Sequence, residues 1–84
     1  MKNKVLVELS IPEIDEVFNL YLPVNRKIGN IIELLNKALF EIKNGAYIGG
    51  TKNFLYNKET GERYHIDLLL RETDIRNGSS IVLL

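Results

Sequence analysis

The spacing of apolar residues changes from every second position to helical spacing within the first half of the chain. The alternating residues are Val5, Val7, Leu9 and Ile11 in one segment and Phe18, Leu20 and Leu22 in the next. A period of two is typical of a strand with one buried face. Because only Pro12–Asp15 connects the segments, we predict an antiparallel hairpin. Pro23 should end it, since proline has no N–H to donate to a strand ladder.

A stripe of apolar residues at helical spacing follows the hairpin. Its members are Ile28, Ile31, Ile32, Leu35, Ala38, Leu39 and Ile42. This spacing predicts an amphipathic helix from Ile28 to Lys43. Asn25 is the expected N-cap and Asn44-Gly45 the expected stop. Gly29 is unfavourable in the first turn, and the neighbouring sequence gives no reason for it.

The second half of the chain predicts short elements separated by turns. In chain order these are a glycine-broken loop at Ala46–Thr51, a strand at Asn53–Tyr56, a turn at Asn57–Glu62 with Gly61 at positive φ, a weaker strand at Arg63–Ile66, a helical turn or irregular segment at Asp67–Leu70, a turn at Asn77-Gly78 and a closing strand at Ser80–Leu84. The turn signals and short apolar runs set these bounds.

This order of elements predicts one α+β domain over residues 1–84, a β-grasp with one helix packed across a mixed sheet of four to five strands. The closing strand should return to pair with the first, so that the two lie parallel at the sheet centre. Strands in that position are buried on both faces. The apolar run Ile81–Leu84 suits such a place.

The layout resembles that of ubiquitin-like proteins over nearly the whole chain. The strands VLVELSI and VFNLYLP, the helix and the run LLLRETDIRNGSSIVLL carry the resemblance. Within that superfamily, VFNLYLPVNRKIGNIIELL and the ending NGSSIVLL resemble the YukD/EsaB-like proteins of type VII secretion systems. The resemblance implies a cytosolic accessory or regulatory component without enzymatic activity. Its implied partners are proteins, among them membrane or ATPase components of the secretion machine.

The C-terminal sequence bears on a second class of function. In the superfamily that this chain resembles, the conjugated proteins and the sulfur carriers need a flexible tail ending in Gly-Gly. This sequence ends in Leu83-Leu84, and its Gly-Gly pair at Gly49-Gly50 is internal. If Leu84 belongs to the sheet, its carboxylate cannot reach an activating enzyme, so we expect neither conjugation nor thiocarboxylate formation. A carrier activated at its C-terminus and a small nucleic-acid-binding module stay as alternatives.

The composition argues against several chemistries. Eleven basic residues balance eleven acidic ones, whereas binding to nucleic-acid phosphates usually needs a basic surplus. The absence of cysteine excludes disulfides and thiolate sites. No apolar run approaches the roughly 18 residues of a membrane span, and the N-terminus alternates, unlike a signal peptide. We therefore expect a cytoplasmic protein that does not insert into membranes.

Isolated polar features give no catalytic motif. His65 is the sole histidine, and Asp67 is its one nearby candidate partner. Gly49-Gly50-Thr51-Lys52 lacks the spacing of a phosphate-binding loop and precedes a strand rather than a helix. Lys52, Lys58 and Arg63 are interspersed with acidic residues. We predict no catalytic residue, no cofactor and no metal ligand.

The candidate binding surface is apolar. If the alternating core residues face the helix, Leu6, Val82 and Leu84 face the opposite way, and Leu55 should join them. Contiguous exposed apolar patches often mark interaction sites, and ubiquitin-like domains use this face to bind partners. The other interpretation is that these are ordinary scattered leucines or are partly covered by loops. A homodimer through this face or through an edge strand also stays open.

Overall fold

The computed structural model describes residues 3–43 and 53–84. Its elements are β1 (Lys4–Ile11), β2 (Glu16–Pro23), α1 (Ile28–Ile42), β3 (Leu55–Asn57) and β4 (Ser80–Leu83), with single 3-10 turns at Pro12–Ile14 and Leu70–Glu72. The helix packs across one face of a four-stranded mixed sheet, which confirms the predicted α+β β-grasp architecture. The predicted stop of the helix at Asn44-Gly45 and the loop at Ala46–Thr51 lie outside the described residues.

The closing strand lies inside the sheet, as predicted. The strand order is β2-β1-β4-β3, with β1 parallel to β4 and the other two pairs antiparallel. Ser80 is paired with Glu8 of β1, while Leu83 is paired with Leu55 of β3. Each side of β4 is therefore occupied by a neighbouring strand.

The core lies between the sheet and α1. Its buried members are Val7, Leu9, Ile11, Leu22, Leu55, Ile81 and Leu83 from the sheet, Ile28, Ile31, Ile32, Leu35 and Leu39 from the helix, and Leu70 and Ile75 from the last connection. The alternating strand residues and most of the helical stripe read from the sequence thus meet face to face, whereas Ala38 and Ile42 of that stripe are exposed. Burial of these side chains is the main force that holds the helix on the sheet.

The helix begins differently from the prediction. Its N-cap is Lys27, which makes no side-chain cap hydrogen bond. The Ile28 N–H instead donates to the carbonyl oxygen of Leu68 at 2.8 Å. Asn25, the expected cap, accepts a hydrogen bond from Arg71. The cap prediction was wrong because a distant backbone segment supplies the acceptor that a local side chain usually provides.

The same segment explains Gly29. Its N–H donates to the carbonyl oxygen of Ile66 at 2.9 Å. A Cβ at this position would stand 3.3 Å from that oxygen, closer than most Cβ contacts. Glycine therefore allows the connection after β3 to lie directly against the first turn of the helix.

The weaker strand predicted at Arg63–Ile66 does not form. Arg63 makes a single bridge with Tyr56, and the chain then leaves the edge of β3. The departure is required because Ile66 must reach the first turn of α1. The turn predictions are confirmed, since Gly61 and Gly78 have φ of 76° and 88°.

Candidate protein-binding face

The sheet side chains that point away from α1 form what we call the open face. The strand register arranges them in rows. From one end of the sheet to the other, the rows are Leu6 with Tyr21; then Asn19, Glu8, Ser80 and Lys58; then Val17, Ser10, Val82 and Tyr56; and finally Leu84 with Phe54. The first, third and fourth rows are mainly apolar. The second is polar and charged.

Leu55 does not belong to the open face. It is paired with Leu83, which faces the helix, and it is 0% exposed. The prediction that Leu55 joins the candidate surface was therefore wrong. Successive side chains in a strand point to opposite faces, so the neighbouring Tyr56, paired with Val82, takes that place.

The other three predicted residues lie on the open face but in two separate groups. Leu6 is 39% exposed and stands beside Tyr21 in the first row. Val82 is partly exposed and Leu84 is 56% exposed at the other end. The polar second row separates them. Leu6 lies four positions before Ser10, the β1 partner of Val82, which is about 13 Å along the strand. The structure therefore divides the predicted residues between an upper group, in which Leu6 stands with Tyr21, and a lower group, in which Val82 and Leu84 stand with Tyr56.

Lys58 lies across the middle of the open face. Its Nζ donates to the Ser10 Oγ at 3.3 Å and lies 3.8 Å from the Glu8 Oε1. Because Lys58 starts beside Ser80 and ends over β1, its aliphatic stem crosses β4. Ser10, which accepts the hydrogen bond from Lys58, is buried, and Val82 is only partly exposed. A half-exposed lysine ion pair is worth little to stability, so the Lys58 side chain is easily displaced from the open face.

The lower group continues into a pocket at the β3 edge. Phe54 exchanges two backbone hydrogen bonds with Leu84, at 2.6 and 3.0 Å. The Arg63 guanidinium carbon lies 4.5 Å from the centroid of the Phe54 ring, a cation–π contact. The pocket has a volume of about 250 Å³, and its lining is Phe54, Arg63, Tyr64, His65 and Ile66. Aromatic and guanidinium groups beside exposed leucine suit a protein surface with apolar and acidic side chains.

His65 has a local structural role. Its Nδ1 accepts a hydrogen bond from the Asp67 N–H at 3.1 Å, which closes the turn that leads toward α1. Within residues 3–43 and 53–84, no group of three or more histidine and carboxylate side chains is placed to hold a metal ion.

Tyr64 is partly buried and is anchored by a hydrogen bond of its hydroxyl. Its hydroxyl donates to the Asp74 Oδ1 at 2.7 Å, and its ring packs on the core. Burial, and then the hydrogen bond to Asp74, raises the pKa of this phenol well above its ordinary value. The group stays protonated at physiological pH and ties the connection before β4 to the core.

Comparison with known proteins adds structural relatives. No protein-family model matches the chain, and no curated protein matches it. The EccD5 ubiquitin-like domain from Mycobacterium xenopi is similar, with a TM-score of 0.77, 17% identity and coverage of 96% of this chain and 92% of that one. The ubiquitin-like domain of the Mycobacterium tuberculosis type VII secretion protein ECCD1 has a TM-score of 0.71, 16% identity and coverage of 96% and 97%.

A chain of the MycP5-free ESX-5 inner membrane complex is also similar, with a TM-score of 0.70 and 18% identity. The match covers 98% of this chain but only 21% of that one. Matches also include proteins from outside secretion systems. At these identities the similarity shows the fold alone, and this chain has the ubiquitin-like fold. No helix among the described residues is long and apolar enough to cross a membrane.

Proposed function

We propose that this chain is a non-enzymatic ubiquitin-like module that docks onto a protein of a type VII secretion apparatus on the cytosolic side of the membrane. Structural similarity to the EccD5 and ECCD1 domains supports the secretion role. The same fold occurs with many functions, so the docking proposal depends on the surface residues of this chain.

The observation that carries the proposal is the exposed lower group. Leu84 is more than half exposed, and Tyr56 and Val82 stand beside it on the open face. Tyr56 and Val82 are each partly exposed. The adjoining Phe54–Arg63 contact extends the surface with groups that are frequent at the centres of protein interfaces.

The test is co-purification from cells that carry the secretion system. A tagged wild-type protein should recover a membrane or ATPase component of the apparatus, identified by mass spectrometry. Leu84→Ser and Tyr56→Ser should each reduce that recovery about tenfold, the effect of truncating an interface centre. Because Leu84 is a surface side chain, its replacement should leave the unfolding transition nearly unchanged.

Leu34→Ser is the matched control. Leu34 is a half-exposed leucine on α1, away from the open face, and its replacement should keep full recovery. Unchanged recovery with Leu84→Ser and Tyr56→Ser, or loss with Leu34→Ser alone, would contradict the assigned surface. A partner from outside the secretion system would contradict the pathway and leave the surface intact.

A further inference from the structure

Within residues 3–43 and 53–84, no strand pairs with the outer edge of β2, and the backbone groups along that edge have no backbone partner. β2 is the terminal strand in the sheet order. The backbone groups of Leu6 and Glu8 in β1 point toward β4, because the Leu6 carbonyl accepts from Gly78 and the Glu8 N–H donates to Ser79. The residues that alternate with them in β1 therefore form the backbone hydrogen bonds to β2. In this register the backbone N–H and C=O groups of Val17, Asn19 and Tyr21 point away from β1, toward the outer edge.

The middle of this edge lacks the features that usually prevent strands from associating. Natural edge strands are commonly interrupted by charges, proline, bulges or short length. The six residues from Val17 to Leu22 (VFNLYL) contain no charge and no proline, and β2 is eight residues long. Val17 is 57% exposed and Tyr21 is 50% exposed. Glu16, at one end, is paired with Lys43 of the same chain.

We propose that two copies of this chain pair antiparallel through β2, which joins their sheets into one. A two-fold axis at Asn19 places Asn19 opposite its own copy and Val17 opposite the second copy's Tyr21. These outward-pointing residues then exchange backbone hydrogen bonds in three pairs. Each Val17–Tyr21 pair joins a β-branched and an aromatic side chain, a favourable cross-strand combination.

The same alignment is complementary on the helix side of the sheet. Phe18 comes opposite the second copy's Leu20, and both side chains are only partly buried against their own core. Pairing would cover apolar surface that the single chain leaves partly in water.

Neighbouring alignments are poorer, which favours this one. A shift of two residues in one direction sets Tyr21 opposite the second copy's Asp15. A shift in the other direction sets Val17 opposite Pro23, which has no N–H to donate. The axis at Asn19 avoids both the charge and the proline. The strand chemistry therefore favours a second copy of this chain as the occupant of the edge.

The first measurement is hydrogen exchange by NMR across a range of protein concentrations. The amides of Val17, Asn19 and Tyr21 should become protected as concentration rises, in step with a dimer seen by sedimentation. The amides of Phe18 and Leu20 should be protected throughout, because they face β1. A protein that stays monomeric up to about 1 mM would overturn the proposal.

Charge variants test the alignment. Val17→Lys combined with Tyr21→Lys sets lysine opposite lysine in both outer pairs and should weaken dimerisation about tenfold or more. Val17→Lys combined with Tyr21→Glu sets lysine opposite glutamate and should restore it. If both variants keep the wild-type unfolding transition but the lysine–glutamate variant does not regain dimerisation, this alignment is overturned.

Leu84→Lys is the matched control, because Leu84 lies on the open face beside Phe54, at the opposite side of the sheet from β2. It should leave dimerisation unchanged. Loss of the dimer in Leu84→Lys would show that the copies meet through the open face instead, and would overturn edge pairing.

Discussion

The N–H of Gly29 donates to the carbonyl oxygen of Ile66 at 2.9 Å, and this contact joins the start of α1 to the connection that follows β3. Together with the bond from Ile28 to Leu68, it caps the helix through backbone atoms alone. The helix start is therefore a tertiary contact, and its stability should respond to changes in the connection.

Gly29→Ala tests the close approach. In an open helix, alanine would raise the free energy of unfolding by up to about 1 kcal/mol relative to glycine. Here the new Cβ would meet the Ile66 carbonyl, which is already fixed by its hydrogen bond. We expect urea unfolding to show no gain or a small loss, and a larger loss for Gly29→Val. The full gain of about 1 kcal/mol in Gly29→Ala would contradict the contact.

Leu55 and Leu6 provide a matched pair for the two sides of the sheet. Leu55→Ala removes a fully buried side chain and should lower the free energy of unfolding by about 2 to 5 kcal/mol. Leu6→Ala changes a partly exposed side chain and should cost less than about 1 kcal/mol. Equal losses in urea unfolding would contradict the register of β3 against β4.

Tyr64→Phe removes the hydrogen bond to Asp74 and should lower the free energy of unfolding by about 1 kcal/mol at neutral pH. The pKa of the folded phenol is raised above the unfolded value of about 10, so folding favours the neutral form. That contribution is complete below pH 10 and is lost as pH rises toward the folded pKa. The stability difference between wild type and Tyr64→Phe should therefore shrink above about pH 10.

Urea unfolding between neutral pH and about pH 11 measures this difference. Tyr21→Phe is the control, since Tyr21 makes no hydrogen bond through its hydroxyl to any residue of 3–43 or 53–84. A Tyr64→Phe difference that stays constant or grows above pH 10 would contradict the assigned environment of the phenol.

Asn77 replaces a missing strand partner. The Leu6 N–H points toward β4 before that strand begins, and it donates to the Asn77 Oδ1 at 2.8 Å. Asn77→Ala should lower the free energy of unfolding by about 1 kcal/mol, because this N–H loses its acceptor. Asn77→Asp keeps the oxygen and should cost less. Equal destabilisation of the two variants would show that the side-chain oxygen is not what matters.

The elements that the sequence predicted well are those with long periodic patterns. The hairpin and α1 each rest on many correctly spaced apolar residues, so small errors of local propensity do not matter. The central place of β4 followed from the apolar run at Ile81–Leu84 and from the order of elements. Val17 and Tyr21 were missed on the open face, although the alternation of the second strand already placed them there.

The errors arose where a distant segment decides the local structure. β3 has only three residues, so its pattern could not show whether Leu55 or Tyr56 faces the helix; the register against Leu83 decides this. The N-cap was misassigned to Asn25 because its replacement is a carbonyl of Leu68, far along the chain. The division of the open face by a polar row also needed the register of all four strands.

Photo-crosslinking inside cells tests the docking surface most directly. A benzoyl-phenylalanine at position 56, in the lower group, should crosslink to a component of the type VII secretion apparatus, identified by mass spectrometry. The same probe at position 34, on the exposed side of α1, should give no such product. A crosslink to the apparatus from position 34 but not from position 56 would contradict docking through the open face.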